Sequence, residues 1–600
     1  MATVAIDFET TYDSLNSLSK LSVAEYLQNT QIICASISID GQPAKSYIDM
    51  QELKQVLLPI ANDSDSVLVA HNANFDAAVL YDKLGIIFIN NFCTMSAARV
   101  FDTCKTGSAS LSVLAEHYDL PHKIQGVLAD AKGLSVDRIL SDDHLRESLL
   151  TYCERDTDIC YKLYEIYAPR LSDQDKREMS FSILRSIIPL LRFDGEQAQR
   201  LLDHDEQLRK QLIASAGIPQ TSLRSTKQFA QALQDLGVEP PKRVSKTTGK
   251  LSYCFSKDFP EFTCLQSHQN PAVAALVRAR LGTASSILES RLQRLFGASR
   301  ATGRLPVPLN WFGTQSGRFS SAQKLGMLTL PRPASDGSDL GGIRSTILPI
   351  LPHHEILALD LKQGELRIAS WLAGSQTVAE AVGKGLDPYT EFASRFHNKA
   401  YEDITKDERH LAKICCLSLQ YQSGAARLAS VLDTDEETAQ TYVTRFRMLN
   451  ESITNMWQQL HGQLLKCART RSDFTLPLPT NTRTIRFHDV QADHDGITYK
   501  DPRGVRRHVY GGSAFNQLVQ STAGLLIRDI EQHASSFLVA HGLPPWALLQ
   551  VHDEVVYSMP PELIPAFLEH MTSPEACPAW ANGLPFELEF SHGSRYSACK

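Results

Sequence analysis

Residues 356–367, ILALDLKQGELR, join an apolar run to a charged one, and this junction constrains the chain more than any other stretch. Residues 356–359 have the length and composition of a buried strand. Such a strand delivers Asp360 to its end. Gln363, Glu365 and Arg367 follow, and an apolar run resumes at 368–373. A carboxylate at the edge of a buried strand can hold a divalent cation. An acid, a base and an amide nearby can read a polar substrate. Alone, the stretch is equally a strand followed by a solvated turn. A second stretch, LLQVHDEVVYSM at 548–559, shifts the balance. There apolar runs flank His552, Asp553 and Glu554, the pattern of a β-hairpin with acids at its tip.

Length and composition set the frame. At roughly 150 residues per domain the chain holds about four modules. With 43% apolar and 21% charged residues it is neither a disordered nor a membrane-spanning composition. No apolar run approaches the roughly 20 residues that cross a bilayer. Asp7 and Glu9 stand where a signal peptide needs its apolar core, so none is expected. The 12 cysteines form no CxxC pair and no regular framework, which predicts reduced thiols in a cytoplasmic protein. A net charge of −7 does not by itself suggest nucleic-acid binding. Clustered metal-binding carboxylates can offset local basic surfaces, so the distribution matters more than the sum.

The opening TVAIDFETT reads as a strand with Asp7 and Glu9 on one side, because residues two apart share a face. HNANFDAAVL at 71–80 follows an apolar strand at 66–70 and carries Asp76 into a helix. TYCERDTDICYKLY at 151–164 is helical, with Tyr152 and Asp156 on one face. Four carboxylates at strand and helix ends repel one another when brought together, and bound cations make such a cluster tolerable. Each fragment alone is an ordinary surface turn or helix. In this order and at these separations, D-x-E, N-x-x-F-D and Y-x-x-x-D resemble the DEDD-type 3′–5′ exonucleases of the tyrosine-containing subclass. The resemblance implies Asp7, Glu9, Asp76 and Asp156 as ligands of two Mg²⁺ or Mn²⁺ ions. It implies Tyr152 as the group that orients the attacking water in an in-line phosphodiester hydrolysis. With this module at the start of the chain, the 5′-nuclease domain of many bacterial relatives is expected to be absent.

The 356–367 and 548–559 stretches resemble motifs A and C of the family-A DNA polymerases, the bacterial polymerase I and phage replicase group. Further segments extend the resemblance over nearly the whole chain. Residues 175–202 alternate charge with apolar periodicity and predict one long helix, and FDGEQAQRLL at 193–202 resembles the family's entry into its polymerase core. Arg224, Lys227, Lys242, Arg243, Lys246, Lys250 and Lys257 stand against Asp235 and Glu239. Arg278, Arg280, Arg291, Arg294, Arg300 and Arg304 continue the trend. Each alone is a solvated surface residue. As a set they suit a thumb that grips a duplex backbone without sequence preference. GTQSGRFSSAQKLGMLTLPR at 313–332 resembles the family's T-x-T-G-R-L-S-S segment, with Thr314, Ser316, Gly317, Arg318, Ser320 and Ser321 in place. The resemblance implies that Arg318 reaches the minor groove at the primer end, where correct pairs offer similar acceptors.

ERHLAKICCLSLQYQSG at 408–424 has helical spacing, with Arg409, Lys413, Leu417 and Tyr421 four apart on a slowly drifting stripe. Two cations on one face suit a triphosphate. The segment resembles motif B, which implies Arg409 and Lys413 on the incoming phosphates and Tyr421 at the template base. Leu417 stands where relatives have an aromatic residue, and Ser418 and Gln422 replace two glycines. AFNQLVQSTA at 514–523 resembles the family's N-x-x-x-Q segment in its phage form. It implies Asn516 and Gln520 as contacts to the nascent pair and template. By the same resemblance Asp360 and Asp553 hold two Mg²⁺ ions, Glu554 supports them, and His552 meets the primer terminus. The resemblance also implies that Glu365 blocks a ribose 2′-OH, with Gln363 and Arg367 as supporting polar groups. Lys362 and Gly364 stand where Ser and Ile are usual.

The expected fold is a mixed α/β and α+β multidomain chain. An RNase H-like exonuclease domain (1–170) is followed by a right-hand polymerase. Its thumb and the start of the palm occupy 171–345, the palm with motif A 346–372, the fingers 373–505 and the palm with motif C 506–600. The expected function is template-directed DNA synthesis from dNTPs with 3′–5′ proofreading, two Mg²⁺ or Mn²⁺ ions serving each site. Primer-template DNA and dNTPs are the expected partners of a monomer with no membrane attachment. The phage-like segment points to a viral replicase, a group that includes enzymes serving 2-aminoadenine genomes. The alternative is a DNA-processing 3′–5′ exonuclease whose polymerase-like part only binds DNA. Asp360, Lys413 and Asp553 together argue against that alternative.

Overall fold

Strand β1 (Thr3–Thr10) is buried along most of its length, as a strand covered on both faces must be. In the computed structural model it is the central strand of a five-stranded sheet with β2 (Ile32–Ile39), β3 (Lys45–Tyr47), β4 (Val67–Ala70) and β5 (Asn90–Cys93), in the order β3-β2-β1-β4-β5. β1 runs antiparallel to β2 and parallel to β4, and β4 runs parallel to β5. Helix α1 (Ala73–Val79) leaves the end of β4, and α2 (Asp143–Tyr167) lies on β1 and β2. The structure describes residues 2–244, 249–257, 259–283, 286–299, 302–331, 339–480 and 483–599. Lys246 and Arg300, expected among the DNA-gripping cations, lie outside the described residues.

The chain divides into two units, Met1–Leu191 with Pro306–Thr329 and Pro349–Gly593, and Arg192–Leu305 with Leu330–Leu348 and Ser594–Lys600. The single helix expected over 175–202 is two helices, α3 (Asp173–Ile187) and a second over Gly195–Ala216. Pro189 is the reason: it lacks an N–H and forces Ile188 out of the helical region, to φ −99° and ψ 98°. Asp194 then caps the second helix, accepting from the Gln197 N–H at 3.0 Å.

In the second unit the helix Gly195–Ala216 packs on Pro271–Thr283 over a core that includes Phe229, Leu233, Phe262 and Val277. Arg224, Lys227, Arg243 and Arg278 are exposed there. Arg280 is not a surface cation: it donates to the Leu223 carbonyl and lies 5.3 Å from the Phe229 ring centroid.

The first unit also holds a four-stranded antiparallel sheet of β6 (Glu355–Leu361), β7 (Leu549–Val551), β8 (Glu554–Met559) and β9 (Leu588–Gly593), ordered β7-β8-β6-β9. Its apolar residues merge into one core with α4 (Gly364–Leu372), α5 (Lys406–Leu419), α6 (Glu451–Thr470) and α7 (Gly511–Ala540), through Leu357, Ile368, Leu460, Val519 and Val555. Buried ion pairs tie α3 to this core. Arg185 meets Glu531 at 2.5 Å, and Asp175 takes Arg528 at 3.2 Å and Arg483 at 2.5 Å. Such pairs fix which elements meet more than they add stability. Among the described residues no helix is long and apolar enough to cross a membrane.

The start of α7 has no room for side chains. A Cβ on Gly511 falls 1.9 Å from the Trp457 carbonyl oxygen, and one on Gly512 falls 2.4 Å from Gln422 Cβ. Backbone cannot step aside as a flexible side chain can, so Gly511→Ala is expected to cost at least about 1–3 kcal/mol. A urea midpoint equal to that of the parent chain contradicts this packing.

Candidate active sites

Asp7 and Glu9 project from β1 toward α2, whose Cys153 thiol donates to the Asp7 carbonyl at 3.3 Å. The Asp7, Glu9 and Cys153 side-chain atoms lie within 4.8 Å of one another. α1 brings in Asp76, which accepts from the Phe8 N–H at 3.3 Å. The chain enters α1 through Asn72, left-handed at φ 75°, and this turn aims the helix at β1. α2 supplies Tyr152 and Asp156 on one face, both buried. All four carboxylates expected from the sequence therefore converge.

Their electrostatics show what the cluster suits. Burial, then the nearby Asp156, pushes the Asp7 carboxyl up to about 7. Burial and Asp7 hold Glu9 and Asp76 well above the carboxylate range. Burial raises Asp156 as well, although Lys123 works against it. The Asp156 Oδ1 atom is buried with no hydrogen-bond partner. Buried acids that repel one another, one with an orphaned oxygen, fit a divalent cation. Lys123 was not expected: its ammonium pairs with Asp156 and sits 4.7 Å from the Tyr152 ring centroid. It comes from an irregular stretch without periodicity, so its sequence gives no signal. With Tyr152 and Gly126 it lines a cavity of about 330 Å³.

The second site forms at one end of the β6–β9 sheet. Asp360 is paired in register with Glu554 of β8, and the Leu361 N–H donates to the Asp553 carbonyl at 3.2 Å. The β7–β8 turn consists of His552 and Asp553 alone, with His552 left-handed at φ 54°. A positive φ at that position matches the twist of the paired strands. His552 is exposed at the tip, but Glu554 is not: it lies in β8, buried, beside Asp360. The expectation of two acids at the tip is corrected accordingly, because the two-residue turn ends before Glu554.

Polar side chains surround these acids. Arg318 donates from Nη2 to Asp553 Oδ1 at 2.7 Å and from Nε to the Gln520 carbonyl at 3.1 Å. Glu365 accepts from Gln520 Nε2 at 2.7 Å and from the Tyr421 hydroxyl at 3.1 Å. Burial, then Glu365, raises the Tyr421 phenol above its ordinary value. Lys362 and Arg367 both reach Glu587, at 2.5 and 2.8 Å. A Cβ on Gly364 lies 3.0 Å from Leu361 Cβ and 3.6 Å from Asp553 Oδ2, so a bulky residue crowds the acids.

Arg409 differs from its expected state. Its fork grips Asp387 with two bonds of 2.9 Å, and Gln363 Nε2 adds a third at 2.7 Å. Burial raises the Asp387 carboxyl, but Arg409 and Thr390 outweigh it and hold the group below its ordinary value. The sequence does carry a signal for Asp387: it precedes Pro388 and caps the helix Pro388–His397. Lys413 is exposed on α5, and Leu417 is half-buried. Tyr421 is not on α5, which ends at Leu419. Gln422, at φ 66°, turns the chain there in the region glycine occupies freely, and its Oε1 accepts from the Gly512 N–H at 2.9 Å. The Trp457 indole donates to the Gln420 carbonyl at 3.0 Å and fixes the same turn. Asn516 and Gln520 lie one turn apart on α7, and the Asn516 Oδ1 atom is buried without a partner.

Residues 194–597 match the family described as DNA polymerase family A, and residues 1–172 match the 3′–5′ exonuclease family. DNA polymerase I of Treponema pallidum is 24% identical over 568 residues, 90% of this chain and 53% of that protein. DNA polymerase I of Pseudomonas aeruginosa is 21% identical over 609 residues, 99% of this chain and 63% of that protein. The DNA polymerase of Escherichia phage T5 is 22% identical over 89% of this chain and 67% of its own length. The chain thus spans between half and about two thirds of these curated relatives. A solved structure, the POL domain of Pol1 from M. smegmatis in complex with DNA primer-template and dNTP, shares the fold. Its TM-score is 0.70 at 17% identity, over 99% of this chain and 96% of that one.

Proposed function

Because the chain belongs to DNA polymerase family A, we propose that it extends DNA primers from dNTPs at the β6–β9 site and removes 3′ nucleotides at the β1–α2 site. The observation that carries this reading is that Asp360, paired with Glu554, and Asp553, whose carbonyl accepts from the Leu361 N–H, meet at one sheet end, while Asp7 and Glu9 gather with Asp76 and Asp156 on a different sheet. Asp360 and Asp553 would hold two Mg²⁺ or Mn²⁺ ions in one site, and Asp7, Glu9, Asp76 and Asp156 two in the other. Bound there, the ions supply activation of the attacking oxygen and charge stabilisation at the leaving one. Lys413 and Arg409 receive the triphosphate, Arg409 by exchanging Asp387 for a second doubly bonded anion. Arg318 and Gln520 face the nascent pair from the opposite side. In the exonuclease site Tyr152 positions the water, and Lys123 stands beside it to meet the scissile phosphate.

Glu365 is proposed to exclude ribonucleotides. Gln520 and Tyr421 hold its carboxylate from two sides, so it cannot swing away from a 2′-OH. Glu365→Ala is expected to lower the dNTP/rNTP ratio of kcat/KM at least about tenfold, the effect of roughly 1.4 kcal/mol. It also lowers dNTP efficiency, because the Gln520, Tyr421 and Gln420 donors lose their acceptor. An unchanged ratio removes Glu365 from this role.

The chain is further proposed to be a replicative, monomeric enzyme of the phage type, working in the host cytoplasm. The support is the phage-like 514–523 segment and the 67% of the T5 polymerase that the chain covers. Long products from a single binding event, with excess trap DNA present, are the expected result. Release after a few additions contradicts it.

A further inference from the structure

Cys153 stands in α2 between Tyr152 and Asp156, and the hydrolysis proposed above makes no use of it. It is fully buried. Its carbonyl accepts from Ser36 Oγ of β2 at 2.8 Å and from Thr157 Oγ1 at 3.1 Å, which fixes this turn of the helix against the sheet. Its Sγ atom meets the acids of β1, 3.3 Å from the Asp7 carbonyl oxygen and 3.6 Å from Asp7 Oδ2. Cys153, Asp7 and Glu9 each offer a ligand atom within 4.8 Å of the other two. Asp156, three residues on, shares the helix face of Cys153. Asp156 is buried, 3% exposed, and its Oδ1 atom has no hydrogen-bond partner. A buried carboxylate oxygen without a donor, beside two further carboxylates and a thiol, is a donor set suited to a cation.

The sulfur narrows the choice of cation. A tetrahedral ion about 2.3 Å from a thiolate sulfur and about 2.1 Å from a carboxylate oxygen holds those two atoms about 3.6 Å apart. That is the separation of Cys153 Sγ and Asp7 Oδ2. Mg²⁺ keeps oxygen ligands in near-ideal octahedra and gains nothing from sulfur. Thiolate selects Zn²⁺ and ions like it. We propose that Cys153 is a metal ligand of the β1–α2 site. With Asp7 and Glu9 it gives this site a preference for thiophilic dications, Zn²⁺ and Cd²⁺, over Mg²⁺. The thiol proton passes to solvent as the sulfur binds. The inference rests on the reading of this cluster as the ion site of an exonuclease.

The test is a Cd²⁺ titration of the reduced, metal-stripped full chain, followed by thiolate-to-metal charge-transfer absorption. Cys153→Ser, Cys153→Ala and Cys34→Ser are titrated in the same way. The parent is expected to show a band that grows with the first equivalent of Cd²⁺. Both Cys153 variants lose that band, and their tightest Cd²⁺ binding weakens at least about tenfold, no less than the loss of an outer partner of a metal ligand. Cys34, the neighbouring thiol paired in register with Glu9, is the control, and Cys34→Ser keeps the band. A first band that both Cys153 variants retain overturns the proposal, and so does one lost with Cys34→Ser alone. Mg²⁺-dependent 3′ degradation by the parent separates the two readings. Degradation without a band that depends on Cys153 overturns the cysteine ligation alone. Neither degradation nor a band overturns the exonuclease reading and this inference together.

Discussion

Alanine at Asp360 or Asp553 lowers primer extension by at least about 10³-fold and leaves 3′ degradation of single-stranded DNA at the parent rate. Losing a ligand of a two-ion site removes a main electrostatic stabiliser of the transition state, and single stabilisers of that kind are worth about 10²–10³-fold or more. The scaffold survives the change. Asp553 sits in a two-residue turn, and its bond to the Leu361 N–H comes from its backbone carbonyl, not from the side chain that is removed. Asp360 is the penultimate residue of β6, whose pairing with β8 and β9 is also made by backbone. Single-turnover extension with saturating dNTPs measures the effect directly. Extension within tenfold of the parent by both variants would show that these acids do not carry the synthesis.

The double variant Asp7→Ala with Glu9→Ala does the reverse: degradation falls by at least about 10³-fold and extension is spared. A second consequence separates this cluster from an ordinary buried network. Burial and mutual repulsion hold Asp7, Glu9 and Asp76 well above the usual carboxylate range. A raised carboxyl pKa means that the folded state binds protons more readily than the unfolded one, so stability from these groups is lost as pH rises through their folded values. Removing two of them therefore raises the thermal midpoint in chelator at neutral pH, and the gain shrinks toward pH 5. This is the usual exchange of stability for activity at a charged site. A variant that melts lower than the parent in chelator would mean that Asp7 and Glu9 stabilise the sheet.

Much of this was legible because the candidate acids sit where local pattern changes. The apolar run at 356–359 ends at Asp360, the hairpin at 548–559 turns at Asp553, and Tyr152 and Asp156 keep helical spacing. What escaped was tertiary. Lys123 lies in an irregular stretch and acquires its meaning only when that stretch folds over Asp156. Arg409 reads as a free cation until Asp387 meets it from another helix. The four-residue spacing that reached Tyr421 continued past the true end of α5, because Gln422 has no intrinsic preference for the left-handed turn that Gly512 and Trp457 impose. Pro189 was the opposite case: the break was written in the sequence, and the charge periodicity on either side masked it.

A 5′-labelled primer annealed to a longer template, incubated with the parent chain and Mg²⁺, tests the central claim most directly. With four dNTPs the label moves to longer products that stop at the template end. With dNTPs withheld it moves to shorter ones. Shortening under both conditions, with no product longer than the primer, contradicts the account and leaves a nuclease joined to a DNA-binding module.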